Sequence, residues 1–212
     1  MYYRRGKDKL TRIFDKQRSL MKKYEIIESD NGLLQTDKVP VAIDTREGQA
    51  RLKDFCWRIT EEMAEALHAL ENETHEAFME EIADVLHFLT EFSILSNLEP
   101  WTLAVDERKS AETDTLDILF EDHIDYYHRK ELVPKLALDF IKDLGMTANC
   151  LKNKPWKRSF KDTDLDKYFV YLEWTWRSFV KFAAAAGFDS KLLHEAYFNK
   201  NAINQHRQAT GY

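Results

Sequence analysis

Apolar residues recur every three or four positions through most of this chain, and strict alternation is rare. The spacing predicts helices over about Lys7–Tyr24, Arg51–Leu70, His75–Ser96, Asp114–Arg129, Val133–Lys152 and Leu165–Ala186, with a last one ending near His206. Six Gly and four Pro leave few breaks. The turn residues of Glu28–Gln49 mark a long connection, "ENET" a short polar joint between the second and third helices, and "KNKPWKRSFKDTD" a loop. Pro134 is tolerable in a first helical turn. Gly187 stands where a helix should end, and Asp189 or Ser190 can cap the next. The expectation is an all-α helical bundle, one domain over residues 1–212, with about 100–160 as a helical insertion.

Two of these helices carry an unusual load of carboxylates. In "RITEEMAEALHALENETHEAFMEEIADVLHFL", Ile59, Met63, Ala66, Leu67 and Leu70 form one apolar arc. Glu61 falls nearly opposite that arc, whereas Glu62 and Glu65 share a flank as i,i+3 neighbours. On the next helix Phe78, Ile82, Val85, Leu86, Leu89 and Phe92 form the stripe. Glu81 projects inside it with Asp84 alongside, and Glu80 points away. A buried carboxylate must be protonated, paired or bound to a metal. A short turn makes the helices antiparallel, bringing Glu62, Glu65, Glu81 and Asp84 around one point. No basic residue within the two helices is spaced to neutralise them; Arg58 and His87 are the nearest candidates. All-oxygen ligation suits Mg²⁺ or Mn²⁺; a solvated acidic face is the plainer alternative, and spacing alone leaves both open.

Charge and composition narrow the classes. The net charge of -6 argues against broad nucleic-acid binding, without excluding a local basic site for a phosphorylated small molecule. A 32% charged content and the lack of an apolar run near the length of a bilayer argue against a membrane protein. "MYYRRGKDKLTR" lacks the apolar stretch of a secretory signal, and two cysteines suggest no disulfide framework, so a cytoplasmic setting is expected.

The order E-E-x-x-E (Glu61, Glu62, Glu65) then E-x-x-D (Glu81, Asp84) resembles the metal motif of the all-α NTP pyrophosphatases. That superfamily includes MazG-like enzymes, dimeric dUTPases and phage dCTPase-dUTPases. "YFNKNAINQHRQATGY", Tyr197–Tyr212, is similar to the K-N-x-x-N-x-x-R-Q-x-x-G-Y segment of the latter two, and "IFDKQRSL" to their first helix. The resemblance implies Mg²⁺-dependent hydrolysis of dUTP, with dUDP and dCTP as further substrates, to the monophosphate. It implies a homodimer holding two or more Mg²⁺ ions per site, Mn²⁺ being a substitute. Glu62, Glu65, Glu81 and Asp84 would be ligands and catalytic groups, and Gln17 would lie near the base. Two departures touch base recognition. Met21 stands where many dimeric dUTPases have Asn, and "ENETHEAF" replaces their Trp- and Lys-containing link.

The basic residues support the same chemistry independently. Lys200, Asn204 and Arg207 fall at i, i+4, i+7 and line one helix face with two cations and an amide suited to phosphate oxygens. Tyr212 adds a hydroxyl at the end. "LKNKPWKRSF" surrounds Trp156 with Lys152, Lys154, Lys157 and Arg158; Lys154 and Trp156 would contact a nucleotide, or Trp156 would anchor a solvated loop in the core. His87 would orient a carboxylate, contact substrate or be structural. "TWRSFVKFAAAAGF" reads as close helix packing or a dimer surface. Two rivals remain at this level: a MazG-like enzyme of broad or non-pyrimidine specificity, and a non-catalytic helical dimer binding a basic partner.

Overall fold

The computed structural model describes residues 8–30, 39–104, 113–154 and 156–210. Among them lie seven α-helices and no strand: α1 (Lys9–Asp30), α2 (Arg46–Asn72), α3 (His75–Leu95), α4 (Thr115–Glu121), α5 (Val133–Cys150), α6 (Leu165–Ala186) and α7 (Ser190–Thr210). The all-α class read from periodicity is the observed one.

α2 and α3 form an antiparallel hairpin through the two residues Glu73 and Thr74, with the Thr74 side chain capping α3 at Ala77 N. α5 and α6 form a second hairpin, and α7 packs across α3 and α1. One apolar cluster links them. Trp176 of α6 is fully buried, stacks on Phe14 of α1 at 6.0 Å and donates its indole N–H to Ser93 Oγ of α3 at 2.9 Å. The Ala183–Ala186 run is also buried, so its small side chains serve packing inside this chain.

Several boundaries differ from the periodicity. α1 continues past Tyr24 to Asp30, because nothing in "EIIESD" breaks a helix. α2 begins at Arg46, not Arg51, because Thr45 Oγ1 accepts from Gly48 N at 3.0 Å and caps it. Gly48, read as a turn residue, lies in the first turn of α2, where only glycine fits: a Cβ there would sit 2.1 Å from the Ala42 carbonyl oxygen. The expected helix Asp114–Arg129 stops at Glu121 and gives way to a 3₁₀ turn at Ile124–Tyr126. The chain reverses there, with His128 at φ 58° donating its N–H to Ala184 O. α6 and the left-handed Gly187 that ends it fall where the sequence placed them.

Candidate active site

The two acidic helices face each other. Oxygen atoms of Glu62 from α2 and of Glu81 and Asp84 from α3 lie within 4.8 Å of one another. All three residues are partly buried. Glu65 is not in this group: it lies one turn further along α2 and is exposed. Its charge still acts on both Glu62 and Glu81. The expected quartet is thus a trio with a fourth carboxylate at its edge.

Burial is the first cause that raises the affinity of all three groups for protons. For Glu62 it combines with the charges of Asp84, Glu65 and Glu81 to push the carboxyl up to about 7. Glu81 is raised by burial and by Asp84. Asp84 is raised by burial against the opposing pull of Lys200.

Lys200 changes the expected picture. It reaches over from α7 and is 7% exposed. Its Nζ lies 2.6 Å from both Asp84 Oδ2 and Glu80 Oε1. Burial works against this ammonium, but the two carboxylates outweigh it and raise its pKa. Glu80 therefore does not point away; it grips Lys200. Arg58, one of the two nearest candidates, bonds Asp54 at 2.9 Å, lies over the rings of Phe55 and Phe88, and shares a cavity wall with Asp84.

Beside Asp84 opens a cavity of about 190 Å³ whose wall includes Gln17, Tyr24, His87, Phe88, Glu91 and Asn204. That is room for about six waters, or one small planar ring. A larger cleft of about 360 Å³ lies beyond Tyr24 and Glu91, but touches none of the acidic trio. Of the two, the smaller one touches Asp84.

Its wall is rigid. Gln17 is 1% exposed, donates from Nε2 to Glu91 Oε2 at 2.7 Å and accepts at Oε1 from Tyr197 OH at 2.8 Å. The two bonds hold the amide between α3 and α7. His87 stacks on Tyr197 with ring centroids 4.1 Å apart. Its Nδ1 lies 2.8 Å from Ala83 O, so that nitrogen carries the proton. Nε2 is then a bare acceptor, buried and without a hydrogen-bond partner among the described residues.

Burial, followed by the pull of Ala83 O in the other direction and repulsion from Lys200, leaves the imidazole pKa at about 4. His87 is therefore neutral at pH 7. An unfolded His titrates near 6.5, so between about 6.5 and 4 the unfolded chain binds more protons and folding weakens as pH falls. Unfolding in urea should show wild type losing on the order of 2 kcal/mol more than His87→Gln between pH 7 and 4.5. Parallel losses would show that His87 does not need to stay neutral.

The other expected site residues divide. Asn204 lines the cavity. Arg207 is exposed on the last turns of α7, and its charge reaches Asp84 and Tyr24. Tyr212 lies outside the described residues. Lys154 and Trp156 are not brought to the cavity. Their loop lies over the first turns of α2, where Lys53 Nζ donates to Leu151 O at 2.6 Å and Arg46 holds the carbonyls of Lys157 and Arg158. Lys53 precedes Glu62 by nine residues, about 14 Å along the axis. Trp156 is 76% exposed beneath the Lys154 ammonium, so it is not a core anchor either.

Sequence reasoning missed Glu80, Glu91 and Tyr197 as site-building groups. A signal existed for the first two. Glu80, Asp84, His87 and Glu91 recur at i, i+4, i+7, i+11, drawing one polar line down an apolar helix.

A sequence model of the dUTPase family, described as dUTPase, matches residues 9–212. Searches of curated proteins and of solved structures return no match.

Proposed function

Because the chain belongs to the dUTPase family over nearly its whole length, we propose that it is a Mg²⁺-dependent pyrophosphohydrolase acting on dUTP, with dUDP and dCTP as secondary substrates. The observation that carries this reading is the meeting of Glu62, Glu81 and Asp84 beside a ring-sized cavity. Membership of the family implies a nucleotide substrate; the metal and the finer substrate range are our inference.

The donor set fits a hard divalent cation. The clustered ligands are all carboxylate oxygens, and their proton affinities are raised first by burial and then by one another's charge, against the opposing pull of Lys200. Glu62, Glu81 and Asp84 would hold the metal, with Glu65 available at the edge for a further ion. Bound Mg²⁺ supplies charge for the phosphate oxygens and lowers the pKa of water.

The chain's own groups supply the rest. The nucleoside would enter between Gln17, Phe88 and Asn204. His87 Nε2, fixed as an acceptor, would take a hydrogen bond from a substrate hydroxyl or N–H, and the neighbouring Tyr197 holds its ring in place. Lys200 and Arg207 would bind the anionic phosphate tail. Glu62 would position or deprotonate the attacking water. The expected homodimer in a cytoplasmic setting remains part of this reading; no described helix is long and apolar enough to cross a membrane.

A panel of nucleoside triphosphates assayed for pyrophosphate in Mg²⁺ tests the proposal. dUTP should show the highest kcat/KM, with dUDP releasing phosphate. A preference for purine triphosphates would favour the MazG-like alternative, and inactivity on the whole panel would overturn the enzyme reading.

A further inference from the structure

Asp84 belongs to two sets of contacts. It is a member of the clustered carboxylate trio, and its Oδ2 also accepts from Lys200 at 2.6 Å. Lys200 thus pairs directly with a member of that trio, and its side chain is only 8% exposed. A divalent cation and an ammonium competing for one carboxylate repel each other at close range, and the doubly charged ion binds the hard oxygen more strongly.

The second grip on Lys200 gives the ammonium somewhere to go. Glu80 accepts from the same Nζ at 2.6 Å, yet is not one of the clustered trio. Its side chain is 44% exposed, against 16% for Asp84. A shift of Nζ from Asp84 towards Glu80 is therefore a shift outward.

We infer that Lys200 exchanges with the metal at Asp84, and that Glu80 is the positioning residue that retains the displaced ammonium for the substrate's phosphates. This rests on the metal reading of the site. It makes metal and triphosphate binding mutually reinforcing, because each draws Lys200 in the same direction.

Acylation of lysine amines, followed by mass spectrometry of the full-length protein, reads the exchange directly. Samples would be compared with chelator, with saturating Mg²⁺, and with Mg²⁺ plus α,β-imido-dUTP. Lys191, whose side chain is 77% exposed, serves as the internal reference. Lys200 labelling should rise several-fold on adding Mg²⁺ and fall again with the analogue, while Lys191 stays constant. In Glu80→Gln the Mg²⁺-induced rise should exceed that of wild type, because no second carboxylate retains the ammonium. An equal rise would remove Glu80 from the account. Stoichiometric Mg²⁺ binding by calorimetry with unchanged Lys200 labelling would overturn the exchange while leaving the metal site standing. Failure of wild type to bind Mg²⁺ would overturn both.

Discussion

Glu81→Gln is expected to lower kcat roughly a thousandfold, about 4 kcal/mol of transition-state stabilisation, while leaving the protein at least as stable as wild type. The two halves have one cause. Glu81 is held close to Glu62 and Asp84, and burial and the Asp84 charge both disfavour its ionised form. Replacing the carboxylate with a neutral amide of the same shape relieves that repulsion, so folding loses nothing. The same change removes a charge that a divalent cation requires. Turnover and thermal unfolding measured on the same preparations check the pair of outcomes. A variant retaining more than about a tenth of wild-type kcat, a loss of only about 1.4 kcal/mol, would argue that Glu81 is not part of the chemistry. A variant with lower stability would argue that Glu81 serves folding.

Trp176→Ala should produce the largest purely structural loss, about 3–5 kcal/mol. The indole is fully buried, stacked on Phe14 and set edge-on to Phe179 at 6.3 Å. Truncation leaves a cavity among α1, α3 and α6, and strips Ser93 of the donor that α6 provides. Ser93 Oγ also donates to Leu89 O on α3, the helix that carries Glu81 and Asp84. Urea unfolding measures the cost. A loss below about 1 kcal/mol, less than a large core truncation normally costs, would mean that neighbouring side chains fill the gap. Because the acidic trio is untouched, residual folded protein should keep its metal requirement.

The hairpin and most helices were legible because apolar spacing and capping residues agree along them. The α2–α3 turn and the end of α6 illustrate this: Thr74 and Gly187 each satisfy a local backbone need that sequence states outright. The start of α2 was hidden, since Gly48 argues for a turn until the close approach of Ala42 is known. The helix after Asp114 failed for a tertiary reason, the docking of His128 on Ala184.

The site divides in the same way. Glu62, Glu81 and Asp84 were readable because their helices are neighbours in sequence, so register and hairpin geometry follow from spacing. Lys200 was assigned to phosphate, yet its bonds to Glu80 and Asp84 depend on how α7 crosses α3, which spacing within α7 cannot specify. Lys154 and Trp156 looked suited to a nucleotide by composition. Their loop is instead fixed over the start of α2, where Asn153 N donates to Gln49 Oε1 at 2.7 Å and Asn153 Nδ2 to Lys161 O at 2.8 Å.

Titrating the purified protein with Mg²⁺ in a calorimeter tests most directly the proposal that the acidic trio holds a divalent cation. Wild type should bind Mg²⁺ stoichiometrically, and Glu81→Gln should lose most of that heat at an unchanged fold. Equal binding isotherms for the two proteins, or no binding by wild type, would contradict the account.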